Sequence, residues 1–264
     1  MAYTGAIGST KLGARLASPV SLVRIAVAVS ALVAWEALAR SGLLFRDVVP
    51  PLPAIARAGV ALFLSRDFYW HLGWTGFEVG AALAIGGLSG LVVGLVLGGS
   101  RTLSRAFEPY LYYLGPTPKI VFFPIMIMWF GVGPGSKIAL ATLSCFFPVA
   151  LSAAAGMRQI DRVLIRVGES FRANQWQMAT KIYLPAMRQP IVNGVRLGLG
   201  VAIIGTLLAE TKLSNRGLGH IVIQAFALFD MPKMYALLII LFVLAIGANE
   251  LVARLGGAGG GNRV

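Results

Sequence analysis

Residues 79–100 form a 22-residue run with no ionisable side chain, and this run constrains the fold more than any other feature. An α-helix needs about 20 mostly apolar residues to cross the hydrocarbon core of a bilayer. In lipid no water satisfies the backbone, so such a run is read as a helix that bonds its own N–H and C=O groups. Comparable runs recur at 20–39, 110–131, 138–157, 191–210 and 234–251. Only 12% of the 264 residues are charged, against about 25% in a soluble globular domain. The expected architecture is an all-α membrane protein with about six transmembrane helices.

The runs are not equivalent. Ala37-Leu38-Ala39 resembles a small-residue cleavage site, so 20–39 also reads as a secretory leader. The long segment before it and the further spans after it favour a retained helix. Pro50, Pro51 and Pro53 punctuate a mixed segment at 40–71, predicting extended chain outside the membrane and a short helix from near Ala54. The third run is broken by Pro116, Pro118 and Pro124, with Lys119 in its middle. Such breaks survive only where protein or a watery cavity satisfies the freed backbone groups. Pro148 predicts a kink in the fourth run. Residues 218–229 are too short to cross, and predict a re-entrant or interfacial helix.

The net charge of +13 does not come from a basic face with interleaved aromatics, so nucleic-acid binding is excluded. The cations sit between apolar runs, where they bias orientation. Arg40, Arg46, Arg57, Arg66, Lys137, Lys212, Arg216 and Lys233 fall on one side, and the other 15 of the 23 Lys and Arg on the opposite side. Both termini are therefore expected in the cytoplasm.

Gly86, Gly90, Gly94 and Gly98 recur every four residues, with Gly76 and Gly80 before them. Glycines at this spacing share one helix face and let another backbone approach closely. The spacing does not identify the partner helix. Glu78 and Glu210, near the outer ends of their spans, and Met126 in the broken run are the candidate pathway residues, because charge near the bilayer core is a default pointer to function. Cys145 is the single cysteine, and His71 and His220 lack metal-ligand spacing, so no metal or other cofactor is expected. No G-x-x-x-x-G-K-[ST], G-x-S-x-G or H-E-x-x-H occurs, leaving no nucleotide, hydrolase or metalloprotease signature.

The charged segment 158–190 contains RVGESFRANQWQMATKIYLP at 166–185. It resembles the cytoplasmic signature of permeases from binding-protein-dependent ABC importers, E-A-A-x3-G-x9-I-x-L-P, matching at Ile182, Leu184 and Pro185. Trp129–Gly133, Gly194–Gly200, Ala209-Glu210 and Gly217-Leu218-Gly219 resemble flanking motifs in the expected order. The likeness runs from about Trp35 to Arg254 and is strongest to the nitrate/sulfonate/taurine branch. The departures are Arg166 for the signature's glutamate, Val167 and Gly168 for its alanines, and Arg172 for its glycine, where an L-residue is strained if φ is positive.

The resemblance implies a type I importer permease that is not itself an enzyme. Its implied partners are cytosolic ATPase subunits, a periplasmic or lipid-anchored binding protein, a second permease copy (identical or not) and membrane lipid. It implies a small anionic or organic solute and an inner-membrane location. Residues 1–19 are then a cytoplasmic tail, 20–255 one transmembrane domain and 256–264 a disordered glycine-rich tail. Segment 158–190 becomes the coupling segment, read as a helix carrying Glu169, Arg172, Gln175, Trp176 and Thr180 on one side, with Arg166, Asn174, Leu184 and Pro185 completing the contact. A secondary transporter or channel working without an ATPase would explain the spans but not this signature.

Overall fold

The structure, a computed structural model, describes residues 19–42 and 48–257. The tails expected at 1–19 and 256–264 lie outside these residues except for Pro19, Gly256 and Gly257, which are helical.

Among the described residues every regular element is a helix. Helix α1 (Pro19–Arg40) precedes α2 (Leu52–Leu64) and α3 (Arg66–Gly99). Helix α4 (Arg101–Leu114) and a 3₁₀ turn (Lys119–Phe122) lead to α5 (Phe123–Phe130). Helix α6 (Pro134–Arg158) is followed by α7 (Arg162–Ser170). Helix α8 (Gln175–Gln177) continues through a π-helical turn (Met178–Tyr183) into α9 (Leu184–Ala186). Then come α10 (Arg188–Lys212), α11 (Leu218–Ala227) and α12 (Met231–Gly257).

Five helices, α1, α3, α6, α10 and α12, are long and apolar enough to cross a membrane. The broken run folds as α4 and α5, bent by 90° at the intervening prolines, so that five unbroken spans are accompanied by one bent pair. Helix α3 has 34 residues, about 50 Å at the α-helical rise, so it outreaches a hydrocarbon core of about 30 Å. It begins at Arg66, well before the charge-free run, and takes in part of the segment expected to be external.

Helix α6 is the hub and packs most extensively on α3 and α10. Val79, Ala82, Ala141, Cys145, Val149, Leu199 and Ala202 fill the contact between them. At the end of the bundle where α3 begins, a second cluster of Ile55, Leu62, Phe68, Leu218, Ile221, Leu237 and Ile240 gathers α2, α11 and α12. The short helix α11 is thus packed into the bundle's end rather than laid on its surface. Val92, Val96, Ile239, Phe242 and Val243 point outward, as lipid-facing positions must.

Helix α1 touches the bundle only near its end. Trp35 Nε1 donates to Pro50 O at 3.1 Å, and its ring meets Tyr235 edge-on at 5.3 Å. Glu36 accepts from Leu52 N at 2.8 Å and pairs with Arg40 at 2.6 Å. That carboxylate satisfies one of the orphan amides of α2, a duty that its place near a span end did not reveal.

Candidate functional site

Three features carry functional weight: the 158–190 segment, the seam between the central helices, and a buried polar cluster where α10 meets α11.

The segment 158–190 is a turned pair of short helices, which corrects the single helix expected there. Asp161 caps α7 by accepting from Val163 N at 2.8 Å. At the far end Arg172 N donates to Glu169 O at 2.9 Å and Ala173 N to Gly168 O at 3.0 Å. These are the two bonds of a Schellman motif, whose C′ residue is usually glycine because it takes a positive φ. Here that residue is Arg172, at φ 50. Asn174 then opens α8 with a capping box, accepting from Gln177 N at 2.8 Å while Gln177 Oε1 accepts from Asn174 N at 2.9 Å.

Glu169 and Arg172 therefore belong to the first helix and its turn, and Gln175, Trp176 and Thr180 to the second. Asn174 and Thr180 both use their side chains locally, Thr180 Oγ1 donating to Trp176 O at 2.8 Å. Arg166, Glu169, Arg172, Gln175 and Pro185 are exposed, and Leu184 is half-buried. Phe171 and Trp176 stand 83% and 76% exposed, two large apolar side chains at the tip of the pair. Gly168 sits against Met178 and Ile182, so the second helix occupies space that a side chain there would need.

The four spaced glycines of α3 all face α6. A Cβ at Gly86, Gly90, Gly94 or Gly98 would meet the carbonyl oxygen of Thr142, Phe146, Ala150 or Ala154 at 2.6, 2.7, 2.5 and 2.7 Å. Backbone faces backbone along four turns. Gly76 and Gly80 meet nothing within 4 Å and lie outside this contact. A second stripe was overlooked in the sequence. Gly194 and Gly198 of α10 press on Ser152 and Val149 of α6 on an adjoining face, at 2.7 and 2.9 Å from where their Cβ atoms would lie. The signal was present as a four-residue spacing inside the run that opens the fifth span.

Glu78 and Glu210 are fully buried, together with Lys137. Lys137 Nζ lies 3.7 Å from Glu78 Oε1 and also acts electrostatically on Glu210. Glu210 accepts from Thr75 Oγ1 and from Gly219 N, both at 2.7 Å. Thr75 Oγ1 in turn accepts from Leu218 N at 2.8 Å, and His71 Nδ1 from Gly217 N at 3.0 Å. Three amides at the start of α11 thus find acceptors on α3 and α10, which satisfies donors that a helix N-terminus leaves open. Both are enclosed within the protomer; Glu210 holds the start of α11, whereas Glu78 faces Lys137. Lys137, assigned to an outer turn by sequence, is part of this core. Met126 is half-buried and lines an apolar groove of about 690 Å³ with Ile85, Trp129 and Phe146.

Among the described residues no group of three or more His, Cys, Asp or Glu side chains is placed to hold a metal. At the opposite end of the bundle Arg158 pairs with Glu108 and donates to Ser104 at 3.2 Å, tying α4 to α6.

Comparison with known proteins follows the same outline. Residues 52–256 match the family described as binding-protein-dependent transport system inner membrane component. The chain is 32% identical over 233 residues to the taurine transport system permease protein TauC of Escherichia coli (strain K12), covering 85% of each chain. It is 30% identical over 221 residues to the putative aliphatic sulfonates transport permease protein SsuC of Bacillus subtilis (strain 168), covering 84% of this chain and 80% of that one. An inward-facing structure of the MetNI methionine ABC transporter superposes with a TM-score of 0.61 at 20% identity, over 74% of this chain and 98% of that one, a likeness of fold.

Proposed function

The chain belongs to the binding-protein-dependent transport system inner membrane components, and from that premise we propose how this ABC-importer permease couples solute movement to ATP. It is a multi-pass inner-membrane protein with the fold of an importer permease. ATP binding and hydrolysis belong to separate cytosolic subunits, solute delivery to a binding protein outside, and a second permease copy completes the pore. Both termini face the cytoplasm. The cation asymmetry supports this orientation; Lys119 and Lys137 lie within the bundle and drop from the count, one from each side.

The observation that carries the coupling reading is the helical pair 162–186, which joins the cytoplasmic ends of α6 and α10 and presents Phe171 and Trp176 to solvent. Large aromatic side chains that enter a partner's pocket dominate interface energy. Pushed by an ATPase groove, this pair moves α6 and α10 directly. The glycine seams then carry α3 with them, because closely packed backbones shift as one body. At the outer end the Glu210–Thr75–His71 acceptors make α11 follow α3 and α10.

The solute is a small organic anion of sulfonate type, a reading supported by what the relatives' names say of those proteins. A secondary transporter without an ATPase is not favoured by any feature of the chain. The decisive experiment is reconstitution into proteoliposomes with the ATPase and binding protein, following uptake of taurine or ethanesulfonate. ATP inside the ATPase compartment is expected to be required for uptake. Uptake driven by an ion gradient with no ATPase subunit present would refute the reading.

A further inference from the structure

The break between α4 and α5 borders an open cavity that the coupling reading leaves unused. It has a volume of about 580 Å³ and lies between the broken span, α6 and α10, within the range of about 300–1,000 Å³ typical of small-molecule sites. Its depth follows from α6. The Lys119 ammonium stands 4.9 Å from the ring centroid of Phe147, and Phe147 is the middle of the stretch Pro134–Arg158. The cavity therefore sits near the bilayer midplane.

Lys119 is the only charged side chain on the cavity wall among the described residues. Its ammonium donates to Gly115 O and, at 3.3 Å, to Thr117 O, carbonyls freed by the break. An ammonium has three N–H groups, so one remains after these two bonds. No described carboxylate forms an ion pair with it, whereas Lys137, the other deep lysine, has Glu78. A cation without an anion is costly at this depth, and such residues mark substrate pathways. Apart from Lys119 and the hydroxyls of Tyr112, Thr117 and Ser144, the side chains of the wall are apolar, with Leu140, Phe147, Val201 and Ile204.

We propose that this cavity is where the permease holds its solute in transit, with Lys119 as counter-charge to the acid group and the apolar wall around a short organic body. The inference rests on the permease reading and deepens it: the ligand class is a small organic anion, taken here as a sulfonate. The carbonyls orient the ammonium, and the aromatic face keeps it from snorkelling away. Of the sequence candidates for this duty, Glu210 is bonded to Thr75 and to the start of α11, and Glu78 faces Lys137.

The test uses the permease–ATPase complex in nanodiscs, with Cys145→Ala and a reporter cysteine, Ser144→Cys, on the cavity wall. Labelling by a small neutral thiol reagent is timed with ethanesulfonate or with uncharged dimethyl sulfone present. Ethanesulfonate is expected to slow labelling, and dimethyl sulfone is not. Lys119→Met should raise the half-protecting concentration of ethanesulfonate about tenfold, the worth of one charge-assisted hydrogen bond, and Lys119→Arg should restore it. Equal protection by both compounds, undiminished protection in Lys119→Met, or none by ethanesulfonate overturns the proposal. If Lys119→Met does not assemble, the sulfonate–sulfone contrast in the native chain decides alone. ATP hydrolysis stimulated by the binding protein is measured on the same sample. Its persistence without protection sinks only the anion site, and failure of the chain to assemble with any ATPase sinks the permease reading itself.

Discussion

Arg172 shows how much one residue can carry. Its position was legible: the signature places a glycine there, and glycine's freedom at positive φ is the reason. The structure gives the physical content, a Schellman C′ residue at φ 50 with both motif bonds formed. A side chain in the left-handed region costs about 1–2 kcal/mol relative to glycine. Arg172→Gly is therefore expected to stabilise the permease by about 1 kcal/mol in a thermal-shift measurement on solubilised protein. Arg172→Val, β-branched at positive φ, should destabilise it. The reverse order would show that the Arg172 side chain makes compensating contacts. Lys137 was not legible, because a lysine three residues into a helix looks like a turn cation. Only the three-dimensional meeting of α3, α6 and α10 shows it buried against Glu78.

At the scale of elements, the four-residue glycine spacing showed that α3 has a close partner but not which one. A one-dimensional spacing carries no information about the helix it faces. In the structure α6 meets Gly86–Gly98 of α3 and Gly194 and Gly198 of α10 on adjoining faces, with Cys145 and Val149 in both contacts. Gly94→Leu and Gly194→Leu are both expected to abolish assembly, measured as monodisperse yield after solubilisation. Gly87→Leu, whose added side chain meets nothing within 4 Å, should express at the native level. Loss at Gly87, or tolerance at Gly94, would mean that the seam does not hold these helices. In the segment 158–190 the turn at Arg172 was legible from the signature's glycine, but the helix drawn through Glu169, Arg172, Gln175, Trp176 and Thr180 ignores the capping box that Asn174 and Gln177 announce by their spacing. The π-helical turn after it had no readable signal, since it arises where Met178 and Ile182 close over Gly168.

For the whole molecule, the helical membrane class and five unbroken spans followed from apolar length, because lipid leaves a chain few alternatives. The organisation around α6 did not, since every span is apolar and only contact geometry separates core faces from lipid faces. The account makes one central claim of the assembled protein, that the exposed tip of 162–186 meets an ATPase in the cytoplasm and transmits its closure. The most direct measurement is a site-specific crosslink in membrane vesicles carrying the full importer. In a Cys145→Ala background, single cysteines are placed at Gln175 and, on the opposite side, at Ser65, and Trp176→Ala is assayed in parallel for transport. The account predicts that Gln175→Cys crosslinks to the ATPase subunit and Ser65→Cys does not, while Trp176→Ala inserts and supports ATP hydrolysis without solute uptake. No crosslink at Gln175, with Trp176→Ala transporting at the native rate, would contradict it.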